Sequence, residues 1–267
     1  MFARVRRAGW PIPERASAKA GKKINLNFTG KISCVACDRN IKKTFNQGYC
    51  FPCLQSLAQC DTCIMKPELC HFDKGTCREP EWGLQHCFKP HYIYLANSSG
   101  IKVGITRETQ IPIRWRDQGA IQALPIIKVQ SRFQSGLIEI EIAKLISDKT
   151  NWRKMLKNEV ESMDLIAEWK KLLPEVQDKI DEIAKRFDKT QSNNDQPSKN
   201  IEILSDQKIV EIEYPVLKYP EKVTSLNFDK TPFISGTLQG IKGQYLIFDI
   251  GVINIRKFSG YQVEIYS

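Results

Sequence analysis

No stretch of this 267-residue chain approaches the eighteen or so consecutive apolar residues needed to span a bilayer. Nor is there a basic n-region followed by an apolar h-region, the mark of a secretory signal. These absences make a cytoplasmic protein with no membrane partner the expectation. They also decide how the nine cysteines are read: in a reducing compartment, paired C-x-x-C spacings point to metal rather than to disulfides. Acidic residues are scarce at the front, where residues 1–33 hold eight Lys/Arg against Glu14 alone. Residues 91–160 hold eleven against six, so the two stretches carry most of the net charge of +10. That distribution suits a polyanionic partner, DNA or RNA, although a basic surface that serves only solubility is the plainer reading of the same count. The length accommodates one large domain or two to three small ones.

Residues 1–22 show no apolar periodicity and read as a disordered basic arm, though their arginines also fit an organelle-targeting peptide. The cysteine-rich region spans residues 23–90. Residues 23–33 alternate apolar and polar, which predicts a strand running into Cys34-Val-Ala-Cys37. Cys50-Phe-Pro-Cys53 follows, with Gly48 ahead of it as knuckle former. Four thiolates at this spacing can take a Zn²⁺ tetrahedrally at about 2.3 Å and staple a hairpin too small to fold alone. A second set begins with Cys60-Asp-Thr-Cys63. Cys70 and Cys77 are the nearest further thiolates and complete the expected site, with His71, Cys87 and His91 as alternatives. Four cysteines also suit an iron–sulfur cluster, but C-x-x-C hairpins with a glycine knuckle favour zinc. Four protein ligands leave no open position, so both zinc sites read as structural. Arg39, Lys42 and Lys43, between the first pairs, either touch phosphates or simply face solvent.

Beyond the cysteines, Tyr92–Ala96 reads as a strand, Asn97–Gly100 as a turn and Ile101–Thr106 as a second strand. A helix is expected over Ile113–Ala123, with Arg114 and Arg116 in its first turns, and a third strand over Leu124–Val129. Leu137–Ile146 alternates like a strand but has helical length; its apolar positions share one helical face and leave Glu139 off it. Asp148 or Thr150 is placed to cap a helix starting near Asn151. Residues 155–188 read as two helices, the second opening at Pro174, and 189–200 as a linker. The final segment, 201–267, has the length and turn spacing of a small SH3-like or OB-like barrel. The expected class is α+β: zinc hairpins, a small three-stranded sheet with flanking helices over 91–157, a helical segment over 158–188 and a C-terminal barrel.

The order Tyr92-Ile93-Tyr94, Lys102-Val103-Gly104-Ile105-Thr106, Arg114 and then an isolated glutamate resembles the GIY-YIG nuclease domain, over residues 91–157. The resemblance implies that Tyr94 is the active-site tyrosine and that Lys102 stands where the family has a second tyrosine, as in some phage-type branches. It implies that Arg114 holds the scissile phosphate and that Glu139, with Glu141 as runner-up, binds Mg²⁺ or Mn²⁺. The activity so implied is endonucleolytic hydrolysis of phosphodiester bonds. A non-cleaving grip on DNA or RNA and a zinc-stapled assembly module are the alternatives. The phrases CDTCIMKPELCHFDKGTCREPEWG, IKVGITRETQIPIRWRDQGAIQALPI and SDKTNWRKML are similar to a prokaryotic family known mainly as a domain of unknown function. That family joins a cysteine-rich region to a GIY-YIG-like module, and the similarity covers most of residues 30–160.

Overall fold

The computed structural model describes residues 2–4, 19–146, 149–188 and 200–266. Asp148, the expected linker at 189–199 and residues 5–18 of the basic arm lie outside them. The chain forms two units, one from residues 1–60, 156–159 and 213–267, the other from 61–155 and 160–212.

The first unit is organised by β2 (Lys23–Ile32), the strand expected ahead of the first cysteines. Strand β1 (Phe2–Arg4) pairs antiparallel with β11 (Tyr261–Tyr266), so the front of the supposedly disordered arm is part of a sheet. Strands β8 (Phe233–Lys242), β9 (Tyr245–Phe248) and β10 (Gly251–Asn254) complete an antiparallel sheet of order β1-β11-β2-β8-β9-β10. The expected C-terminal barrel is therefore corrected to an open six-stranded sheet. The reason lies in the pairing: β2, from the other end of the chain, sits between β8 and β11, and β1 and β10 are left as edges. Alternation makes one face apolar, with Ile24 and Leu26 from β2 buried alongside Ile234, Leu238 and Val263. Phe228, Phe258 and Tyr261 pack over that face; the Phe228 and Phe258 rings meet edge-on at 4.9 Å.

The second unit is built on β3 (His91–Asn97), which pairs antiparallel with β4 (Ile101–Arg107) and β5 (Gln122–Val129). These are the three strands expected. Two short strands, β6 (Ile201–Ile203) and β7 (Val210–Glu211), add to β5 and bring the sheet to five strands. Residues 201–211 thus leave the predicted barrel and join this sheet, where Ile201, Ile203 and Ile209 pack on its core.

The helix α3 (Ile113–Asp117) is five residues long, much shorter than the expected span to Ala123. Gly119, at φ +70°, ends it, and Gln122 already belongs to β5. Helix α4 (Arg132–Ile142) confirms the helical reading of the glutamate-bearing run. Ser131 caps it by accepting from the Gln134 backbone N–H at 3.2 Å, and Gln134 Oε1 reaches back to accept from the Gln130 N–H, one residue ahead of the cap, at 3.1 Å. Asn151 itself, through Oδ1, caps α5 (Trp152–Lys157).

The two helices expected on either side of Pro174 are one continuous helix, α6 (Leu165–Asp188). Pro174 lies on its exposed side, where the carbonyl four residues back is open to water, while Leu165, Trp169, Val176 and Ile180 form an unbroken buried stripe. That stripe, with Ile138 and Ile142 of α4, covers the sheet face that presents Ile93, Leu95 and Val103. The opposite face presents Tyr94 and Ala96, which bury with Ala123 of β5 and Trp115 of α3.

Tyr94 lies directly across from Gly104 in the β3–β4 register. A Cβ at position 104 would stand 2.7 Å from the Tyr94 hydroxyl oxygen and 2.8 Å from Cζ, so the glycine is a steric requirement of the tyrosine. Gly104→Ala is expected to cost about 1–3 kcal/mol, the usual range for overpacking. The check is the denaturant midpoint, and an unchanged midpoint would show that Tyr94 can move aside.

Candidate functional site

Strand β2 delivers the chain into the first cysteine knuckle, where the Cys34 backbone N–H donates to the Arg39 carbonyl at 2.9 Å. Asp38 turns the chain at φ +64°. Gly48, at φ +123°, accepts through its carbonyl from the Val35 backbone N–H at 2.8 Å, and a Cβ there would stand 2.6 Å from the Val35 side chain. The glycine expected as knuckle former therefore meets both conditions that demand one. Cys50 then precedes α1 (Phe51–Ser56), whose first turn carries Cys53.

The four ligand atoms of Cys34, Cys37, Cys50 and Cys53 lie within 4.8 Å of one another. The Cys37 and Cys50 sulfurs are 3.7 Å apart, close to the edge of about 3.8 Å that a tetrahedron with Zn–S near 2.3 Å requires. The Cys50 backbone N–H donates to Cys34 Sγ at 3.2 Å, and Arg39 Nε donates to Cys37 Sγ at 3.1 Å. The Arg39 backbone N–H leads the effects that bring Cys37 down to about 6, while burial pushes Cys53 well above the usual thiol range. The set suits a structural zinc ion, and Arg39 serves the sulfur, whereas Lys42 and Lys43 face solvent.

Of the second expected set, Cys60 is buried with Cys34, Tyr49 and Cys50 in the first unit. In the second unit Cys63 converges with Asp61 and His71 within 4.8 Å. Asp61 Oδ2 also takes Arg78 Nε at 2.9 Å, and His71 Nδ1 is bonded to the Thr76 hydroxyl at 2.8 Å. Cys70 and Cys77 lie near Cys63, as does Cys87: the charges of all three act on the Cys63 thiol. Burial, ahead of those charges, pushes that thiol up to about 11.

The residues singled out as catalytic come from four elements. Tyr94 on β3 is wholly buried, and its hydroxyl donates to Gln118 Oε1 at 3.0 Å. Burial drives its phenol up to about 12, against the opposing pull of the Arg114 guanidinium on α3, which also hydrogen-bonds to it. Glu139 on α4 is close enough to push the phenol further up. Lys102 on β4 is buried and lies opposite Ala96, on the Tyr94 face of the sheet. The structure thus brings Tyr94, Arg114 and Glu139 into one neighbourhood. Gln118, which anchors the phenol, was not anticipated; the Gln-Gly pair after α3 gives no sign of it. Trp115 is buried against Tyr94 at 5.8 Å between ring centroids, so it packs rather than offering a stacking surface.

Loss of zinc is expected to release the first knuckle. Structural zinc in small modules contributes on the order of 10 kcal/mol of apparent folding energy. Cys53→Ser, or a strong chelator, should remove that ion and expose residues 34–53 to rapid amide exchange. Protection that survives metal loss would show that the hairpin stands without the ion.

A search of curated proteins and of solved structures finds no match to the chain. One family model does match, over residues 21–263, from just ahead of β2 to the middle of β11. The greater part of both units and both cysteine sets therefore fall inside a single match. The chain belongs to the family described as "Protein of unknown function (DUF2797)".

Proposed function

We propose that this protein binds nucleic acid, with the phosphate backbone gripped by a GIY-YIG-like pocket in the second unit and the first cysteine hairpin serving as a zinc-stapled structural element. The observation that carries the reading is the meeting of Tyr94, Arg114 and Glu139 from three separate elements. A cation on a short helix, a neutral hydroxyl and a carboxylate in one place are the parts that hold and act on a phosphodiester. The eleven Lys/Arg against six acids over residues 91–160 supply the attraction that draws a polyanion in.

Each residue has a definable task. Arg114 presents a planar guanidinium that can take two phosphate oxygens at once. Lys102 adds positive charge on the Tyr94 face of the sheet. Tyr94, held protonated by burial and donating to Gln118, steadies the Arg114 guanidinium and is not the base that removes a proton from water.

A second reading, cleavage, is favoured by Glu139, because a grip on phosphate needs no carboxylate beside its arginine. A Mg²⁺ or Mn²⁺ ion on Glu139 would supply Lewis acidity and an activated water. The chain's own share of that reaction is Arg114 holding the phosphate and Tyr94 holding the guanidinium in place.

Labelled single- and double-stranded DNA and RNA separate the readings. Arg114→Ala is expected to weaken binding about tenfold and to reduce the slope of log affinity against log salt by roughly one. Salt-independent binding, or none, would sink the nucleic-acid reading. Cleavage that needs Mg²⁺ or Mn²⁺ and vanishes in Glu139→Ala would establish the nuclease. If cleavage occurs, Tyr94→Phe is expected to lower its rate without moving the pH profile, because the phenol does not titrate near neutrality.

A further inference from the structure

Residues 61–90 present a problem of stability. The segment consists of three single 3₁₀ turns, at Thr62–Ile64, Pro67–Leu69 and Phe72–Lys74, followed by α2 (Pro80–His86). It contributes no side chain to any of the hydrophobic clusters among the described residues. Several of its large apolar side chains are exposed, Met65 to 75% and Leu69 to 51%, and Phe72 is half-buried against the Phe88 ring at 4.5 Å. Thirty residues of short turns without an apolar core do not hold a fixed shape unaided; a metal or a covalent staple is the usual remedy.

The segment nevertheless has a defined docking. Pro67 packs so closely on α4 that a Cβ at Gly136 would stand 2.5 Å from it. Arg132, the first residue of α4, donates through Nη2 to the Ile64 carbonyl at 2.6 Å, and its backbone N–H donates to the Cys87 carbonyl at 2.7 Å. The Arg132 Nε is enclosed and has no hydrogen-bond partner among the described residues. An enclosed guanidinium nitrogen without an acceptor calls for negative charge nearby.

We propose that Cys63, Cys70, Cys77 and Cys87 hold a second metal centre as four thiolates, with Arg132 as its enclosed counter-charge. All four thiols sit half-buried within the one segment docked on α4, and Cys70, Cys77 and Cys87 are near enough to Cys63 for their charges to act on it. Among the described residues no three of these sulfurs lie within 4.8 Å of one another, so the four draw together on the ion as it binds. Cys87 replaces Cys60, which is buried in the apolar cluster of the first unit. The rival ligand set, Asp61, Cys63 and His71, is complete without an ion: Asp61 Oδ2 is held by Arg78 and also faces His71 Nε2 at 3.4 Å, and the other ring nitrogen of His71 bonds Thr76. Metal binding releases the thiol protons and gives Arg132 Nε sulfur atoms to donate to. Zinc and an iron–sulfur cluster share this thiolate chemistry, and the experiment separates them.

The full chain, prepared without oxygen, is assayed for zinc and iron per chain, for visible charge-transfer absorption and for its metal-bound shell by X-ray absorption. Two centres with sulfur-only shells are expected, as two zinc ions or as one zinc plus an absorbing iron–sulfur cluster. Cys87→Ser is expected to lose one centre and keep the other, and Cys60→Ala to keep both. One centre per chain in the unmodified protein overturns the proposal. So does nitrogen or oxygen in the shell, which would put the ion on Asp61, Cys63 and His71. Loss of the second centre in Cys60→Ala also overturns it. The metal count and shell of the unmodified chain decide the matter even if a variant fails to fold.

Discussion

Four sulfur atoms within 4.8 Å of one another are unfavourable company unless a cation lies among them. As thiolates they repel, and as thiols they offer weak hydrogen bonds in place of a core. The first unit accepts that arrangement at the end of β2, the strand that joins β8 to β11. An ion held at the knuckle would fix the point where the central strand leaves its sheet. Backbone donors reach the sulfurs from Cys50 and Arg39, so the loops are shaped around charge on sulfur before any ion is considered.

In the second unit the controlling condition is burial. Tyr94 fills the space left by Gly104 and rests on Trp115, and the same enclosure that orders the ring keeps its proton in place. A phenol so held can orient and donate but cannot collect a proton at neutral pH. Whatever chemistry the pocket performs must draw its base from elsewhere, and among the three gathered residues only Glu139 has basic character.

Local patterns were legible in the sequence wherever a residue's neighbours in the chain decide its structure. The strand ahead of Cys34, the hairpin around Asn97–Gly100, the Gly48 knuckle and the helical reading of Leu137–Ile142 all depend on near neighbours. What failed depends on distant ones. A barrel was expected from the C-terminal strands because nothing in their alternation says that β2 will insert between β8 and β11. Pro174 reads as a helix start until one knows that the buried stripe of α6 continues on both sides of it. In the candidate site, Tyr94, Arg114 and Glu139 were singled out by resemblance alone, while Gln118 and Arg132 make contacts visible only once the sheet and α4 are in place.

The pairing of β2 with β11 brings Asn27 to Glu264, across 237 residues of chain, with Asn27 Nδ2 donating to the carboxylate at 2.9 Å. Contacts of such separation make for slow assembly. At a ribosomal pace of roughly 5–20 residues per second, β2 would wait some tens of seconds for its partner to emerge. The 34–53 knuckle needs no distant strand and can close on its ion in that interval. During synthesis the metal would thus guard an apolar strand whose permanent cover has yet to be made.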